Sequence, residues 1–132
     1  DMVNFGAWDT VPERFKGRTL YRHNPSVTLM RTTAEECQRI GDFLAAKLNA
    51  MRGPVRFLIP EHGVSAIDRT GQPFHDPQAD KVLFDTIERQ FRTGPQRVLR
   101  RLPLHINDEA FAEALVAAWR EIAAPVAAGR RA

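Results

Sequence analysis

All four histidines of the chain, His23, His62, His75 and His105, fall in polar stretches that follow a strand-like run and precede a helical one. In an open parallel sheet that is the edge where ligands bind, outside the carboxyl ends of the strands. The same stretches add Asn24, Thr28, Arg31, Glu61, Ser65, Asp68, Asp76, Asn107 and Asp108. The opposite connections, Arg52-Gly53-Pro54 and Thr93-Gly94-Pro95-Gln96, offer little beyond turns.

The richest stretch is Pro60-Glu61-His62-Gly63-Val64-Ser65-Ala66-Ile67-Asp68. Gly63 permits a positive φ or a close backbone approach to a ligand. Ser65 could act as a nucleophile with His62 as its base. A Gly-x-Ser run without a second glycine is not the nucleophile elbow of hydrolases, so anion holding or loop fixing suits Ser65 better. His62, Asp68, His75, Asp76 and His105 match a zinc, manganese or iron ligand set by type. No His-x-His, His-x-x-x-His or Cys-x-x-Cys pair fixes such ligands locally, and Asp76 has a helix-capping role open to it. No metal site is therefore assigned. Arg31, just before Thr32-Thr33 at a helix start, combines a planar donor fork with a helix N-terminus, a pairing suited to phosphate or carboxylate. No Walker-type or Gly-x-Gly-x-x-Gly loop is present. The catalytic candidates are His62, Ser65, Asp68, His75 and His105. The ligand-binding candidates are His23, Asn24, Thr28, Arg31, His62, Gly63, Ser65 and Asn107.

These residues need a scaffold. Asp1 to Phe5 reads as the end of a strand, Thr10-Val11-Pro12-Glu13 as a capping box for one helical turn, and Leu20-Tyr21-Arg22 as a short strand before the turn at His23-Asn24-Pro25. A helix is predicted from Thr33 to Met51, capped by Thr33 and Glu36, with Cys37, Ile40, Leu44, Leu48 and Met51 on its apolar stripe. Val55 to Ile59 reads as a buried strand. Asp76-Pro77 opens a second helix bearing Leu83, Phe84, Ile87 and Phe91. Arg97 to Leu102 is the next strand. A third helix, capped by Asn107 or Asp108, carries Phe111, Leu115, Ala118, Trp119 and Ile122 up to Pro125. Alternation of this kind implies an α/β fold, a Rossmann-like three-layer sandwich with a mostly parallel sheet. A segment of a (β/α) barrel shares the same local pattern. Residues 1–124 are expected to form one domain and residues 125–132 a frayed basic tail.

A chain of 132 residues holds one ordinary domain. Its 43% hydrophobic and 27% charged residues argue against disorder. No apolar run reaches the length of a membrane span. A single cysteine, Cys37, excludes an intramolecular disulfide and fits the reducing cytoplasm. The net charge of +3 is spread along the chain rather than gathered with aromatics, which speaks against nucleic acid as a partner.

Six ordered strings carry a resemblance: Asp1-Met2-Val3-Asn4-Phe5-Gly6; Val11-Pro12-Glu13-Arg14-Phe15; His23-Asn24-Pro25 with Thr28-Leu29-Met30-Arg31-Thr32-Thr33; Gly63-Val64-Ser65-Ala66-Ile67-Asp68; Phe74-His75-Asp76-Pro77; and His105-Ile106-Asn107-Asp108. Together, up to about Ile122, they resemble the C-terminal region of the tomato mosaic virus resistance protein-like ATP-binding family. The resemblance implies that the chain is the end of a two-domain protein roughly three times as long. It implies ATP on the N-terminal domain rather than here, a second Rossmann-like unit facing that domain across a cleft, and a homodimer. It carries no catalytic residues. Three functions follow as expectations: one side of an interdomain cleft for a small anionic or phosphorylated ligand; a metal-assisted hydrolase or lyase using loop His and Asp residues; or a non-catalytic dimerisation or protein-interaction module.

Overall fold

The computed structural model describes residues 1–123. The tail expected at 125–132 lies outside the described residues. Strands β1 (Met2–Phe5), β2 (Leu20–Asn24) and β3 (Val27–Arg31) form an antiparallel sheet in the order β1-β3-β2. Two 3-10 turns, Trp8–Thr10 and Glu13–Phe15, link β1 to β2. Neither turn has a side-chain cap, so the expected Thr10–Glu13 capping box is not formed. Helix α1 (Ala34–Ala50) follows, then strand β4 (Val55–Pro60), helix α2 (Pro77–Gln90), strand β5 (Arg97–Leu102) and helix α3 (Glu109–Ile122). β4 and β5 pair in parallel, from Val55 opposite Arg97 to Pro60 opposite Leu102.

The fold is α/β, as expected, but the sheet is not mostly parallel among the described residues. Three of the five strands belong to the antiparallel sheet. The difference arises at His23-Asn24-Pro25. The Asn24 carboxamide accepts from the Ser26 amide at 2.9 Å and tightens a hairpin, so the chain returns as β3 instead of running on as a polar loop. Thr28 and Arg31 disguise β3 in the sequence, because polar residues rarely line a strand buried along most of its length.

Around β4 and β5 the arrangement has three layers. Val55 and Ile59 of β4 pack into one cluster with Cys37 and Leu48 of α1 and with Ala79, Leu83, Phe84 and Ile87 of α2, capped by Phe91. Leu58 points the other way, to Phe111 and Ala118 of α3. Strand alternation therefore divides the core into two.

The capping box of α1 is present in both directions, Thr33 to the Glu36 amide and Glu36 to the Thr33 amide. The buried stripe of α1 is Cys37, Gly41, Ala45 and Leu48, while Ile40 and Met51 stay exposed. Small residues set this rotation. A Cβ on Gly41 would meet the Thr86 Cβ at 2.9 Å, so Gly41 lets α1 and α2 approach closely. On α3, likewise, Phe111 and Ala118 are buried while Leu115, Val116 and Trp119 face outward.

Candidate functional site

Arg31 ends β3 facing inward, only 5% exposed, and every nitrogen of its guanidinium is occupied. Nε donates to the Phe74 carbonyl at 2.8 Å. Nη1 donates to the Asp1 carbonyl and the Thr32 hydroxyl, both at 3.3 Å. Nη2 donates to Asp80 Oδ1 at 2.6 Å, and to Asp68 Oδ1 and the Asp76 carbonyl at 3.4 Å. This corrects the expectation of an open anion fork: Arg31 knits β3, the β4–α2 loop and α2 together. Asp80 was not among the sequence candidates. Its signal was a carboxylate one turn beyond the Asp76 cap, beside Ala79 on the apolar face of α2. Burial raises the pKa of Asp80 to about 6, outweighing Arg31, and the neighbouring Asp68 adds to the rise.

The β4–α2 loop is fixed by three further contacts. Gly63 has φ +121°, and a Cβ there would sit 2.5 Å from the Asp68 carbonyl and 2.8 Å from the His105 ring. The Val64 amide donates to Asp68 Oδ2 at 2.9 Å. His105, 3% exposed, meets the Ser65 carbonyl through Nε2 at 2.9 Å and accepts the Asn107 amide on Nδ1 at 3.1 Å. A carbonyl accepts and an amide donates, so the ring carries its proton on Nε2. Nε2 thereby joins the loops after β4 and β5, while Nδ1 fixes the ring within its own loop.

Ser65 and Asp108 each have a charged side chain as partner. The Ser65 hydroxyl donates to Asp1 Oδ2 at 2.6 Å, so a carboxylate rather than a histidine engages it. Asp108 stands at the N-cap of α3 without a side-chain cap bond. Its carboxylate instead accepts from the His105 amide at 2.8 Å and from Arg69 at 2.9 Å, contacts that hold its pKa below the usual carboxylate range. Asp76 does cap α2 as expected, accepting the Ala79 amide at 3.0 Å.

A groove of about 290 Å³ opens at the carboxyl ends of β4 and β5, lined by Glu61, His62, Gly63, Asp68, Thr70, His75, Pro77, Asp80, Lys81, Phe84 and Arg101. Of the sequence candidates it brings together His62, Gly63, Asp68 and His75. A shallower hollow with Arg69, His105 and Asp108 shares His62 and Thr70 with it. Lys81 is paired with Asp85. Arg101 is paired with Glu61, Asp85 and Glu88 at 2.8 to 3.0 Å. Among the described residues, His62, Thr70 and His75 make no side-chain hydrogen bond and face the groove unpaired.

Three candidates lie elsewhere. His23 and Asn24 sit at the hairpin end of β2, and four residue steps of β3 put about 13 Å between that end and Arg31. There Asn24 borders a separate hollow with Trp8 and Arg22. Thr28 is fully buried, its hydroxyl without a partner among the described residues. No group of three His, Cys, Asp or Glu side chains converges at metal-binding distances among the described residues, so His62, Asp68, His75 and His105 do not form a metal centre by themselves. None of the described helices is long and apolar enough to cross a membrane.

Residues 1–123 match the family model described as the uncharacterised protein family UPF0261, C-terminal domain. A UPF0261 protein of Rhizobium meliloti is 62% identical over 95% of this chain, and one of Mesorhizobium japonicum is 57% identical over 93%. The chain spans 31% of the length of each. The tomato mosaic virus resistance protein Tm-1 of Solanum lycopersicum is 42% identical over 92% of the chain, which covers 16% of that protein.

Proposed function

Since the chain belongs to the UPF0261 family and forms its C-terminal domain, we propose that it supplies one wall of an interdomain cleft for a small anionic or phosphorylated ligand. The observation that carries this reading is the groove beyond β4 and β5, where His62, Thr70 and His75 stand unpaired over a rigid, buried ionic floor. Open clefts at the carboxyl ends of parallel strands are the usual binding places of α/β folds. An oxyanion there meets two imidazoles and a hydroxyl, with Lys81 within the same groove. The opposite wall comes from the remainder of the longer, cytoplasmic protein, which also carries ATP. Further strands from that remainder extend the β4–β5 pair, already covered by helices on both faces, into a Rossmann-like sheet.

Calorimetry on the full-length protein with inorganic phosphate and with ATP tests the reading. His62→Ala and His75→Ala are each expected to weaken phosphate binding about tenfold, the loss of one charge-assisted hydrogen bond. Equal binding by both variants would sink it.

A second reading, a homodimerisation module, draws on the outward Leu115, Val116 and Trp119 of α3, with Trp119 63% exposed. Light scattering of full-length Trp119→Glu is the test. A dimer that persists in that variant removes α3 as its contact.

A further inference from the structure

Asp68 and Asp80 approach the same nitrogen of Arg31, at 3.4 and 2.6 Å, and all three side chains are at least nine-tenths buried. Two carboxylates against one guanidinium leave an excess buried negative charge. Such a charge, removed from water, is relieved most cheaply by taking up a proton. Asp68 has a second donor, the Val64 amide on Oδ2. Asp80 Oδ2 receives no N–H or O–H among the described residues, and Asp80 lines the groove.

We propose that Asp68 and Asp80 form a carboxyl pair that holds one proton and presents it from Asp80 to an oxyanion or carbonyl oxygen of the ligand in the groove. The ligand assignment rests on the cleft reading above; the proton does not. In the bound state the Asp80 hydroxyl donates to the ligand oxygen. Transfer of that proton leaves a carboxylate on Asp80, which Arg31 stabilises, and a protonated ligand oxygen. The other titratable groups around the pair are His75 and, across the groove, His62 and Glu61. Lys81 and Arg101 are neutralised by carboxylates of their own, and Cys37 reaches the cluster through Thr32. The raised pKa of Asp80 accords with this arrangement.

The test is a carbon-13 titration of aspartate carboxyls in the full-length protein. One resonance is expected to titrate near neutrality, to vanish in Asp80→Asn, and to move down by about one pH unit in Asp68→Asn as the like charge is removed. If every aspartate of the wild type titrates in the ordinary range, the pair is overturned without any variant having to fold. Persistence of the near-neutral resonance in Asp80→Asn overturns it equally. Phosphate binding, measured separately, decides the ligand: a near-neutral titration without binding supports the shared proton and refutes the cleft reading alone.

Discussion

His105 donates from Nε2 to the main-chain carbonyl of Ser65 at 2.9 Å, a bond that ties the loop after β5 to the loop after β4. A histidine so placed is a structural joint. His105→Ala removes a buried ring and leaves that carbonyl and the Asn107 amide without their partner, both bonds being only half-buried. A loss of about 1–3 kcal/mol in unfolding free energy is expected, read from urea denaturation of the full-length protein. Unchanged stability would contradict the role.

Gly63→Ala is expected to be more damaging than Gly71→Ala. Both glycines have positive φ, +121° and +83°, but only Gly63 has neighbours where a Cβ would stand. Strain of about 1–2 kcal/mol applies to Gly71. At Gly63 a displaced Asp68 carbonyl adds to it, so the fall in Tm should be clearly larger. Equal shifts in Tm would argue that the loop yields freely.

Arg31→Ala strands two buried carboxylates and should cost about 3–5 kcal/mol. Arg31→Lys recovers little, because one ammonium cannot reach the Phe74 carbonyl and both aspartates in the fork geometry. Adding Asp80→Asn to Arg31→Ala should restore part of the loss, a non-additivity that a double-mutant cycle measures directly. Simple additivity would dissolve the cluster as a unit.

Two acidic groups bend the stability profile in opposite directions. Glu36 is held at about 2, below its ordinary 4.5, first by its hydrogen bond from Arg18. Its contribution is present above 4.5 and lost as pH falls toward 2. Asp80, at about 6 against an ordinary 3.8, behaves conversely, because the folded state binds the extra proton. Its contribution is full below 3.8 and lost as pH rises through 6. Denaturation midpoints measured across this span should therefore fall less steeply with rising pH in Asp80→Asn than in the wild type. In Arg18→Ala the decline on the acid side should be shallower. Parallel profiles for all three proteins would refute both assignments.

What the sequence made legible follows from how far each signal reaches along the chain. The Thr33–Glu36 box, the Asp76 cap and the apolar runs of β4 and α2 are written within a few residues, and all stand where expected. The groove loops were legible for the same reason, since His62, Gly63 and His75 follow a strand and precede a helix. The role of Arg31 is not legible locally, because its carboxylate partners lie 37 and 49 residues away. Its guanidinium looks free until Phe74 and Asp80 come to it. Gly41 and Ala45 were overlooked in α1 because a stripe of large apolar residues predicts burial well only where the opposing helix keeps its distance. Leu115 and Trp119 show the converse, an apolar pattern on α3 wider than the surface that receives it.

The same long reach of Arg31 bears on the order in which the molecule comes together. Contacts across 43 and 49 residues require closing large loops before any interaction compensates for the lost chain entropy. Helical turns and the β2–β3 hairpin can form early, from neighbours. The floor beneath His62 and His75 cannot; it exists only once β3, the β4–α2 loop and α2 have all met. No partly folded form of this domain presents the finished groove, so a ligand that settles in it selects the completed fold, and occupancy and folding rise together.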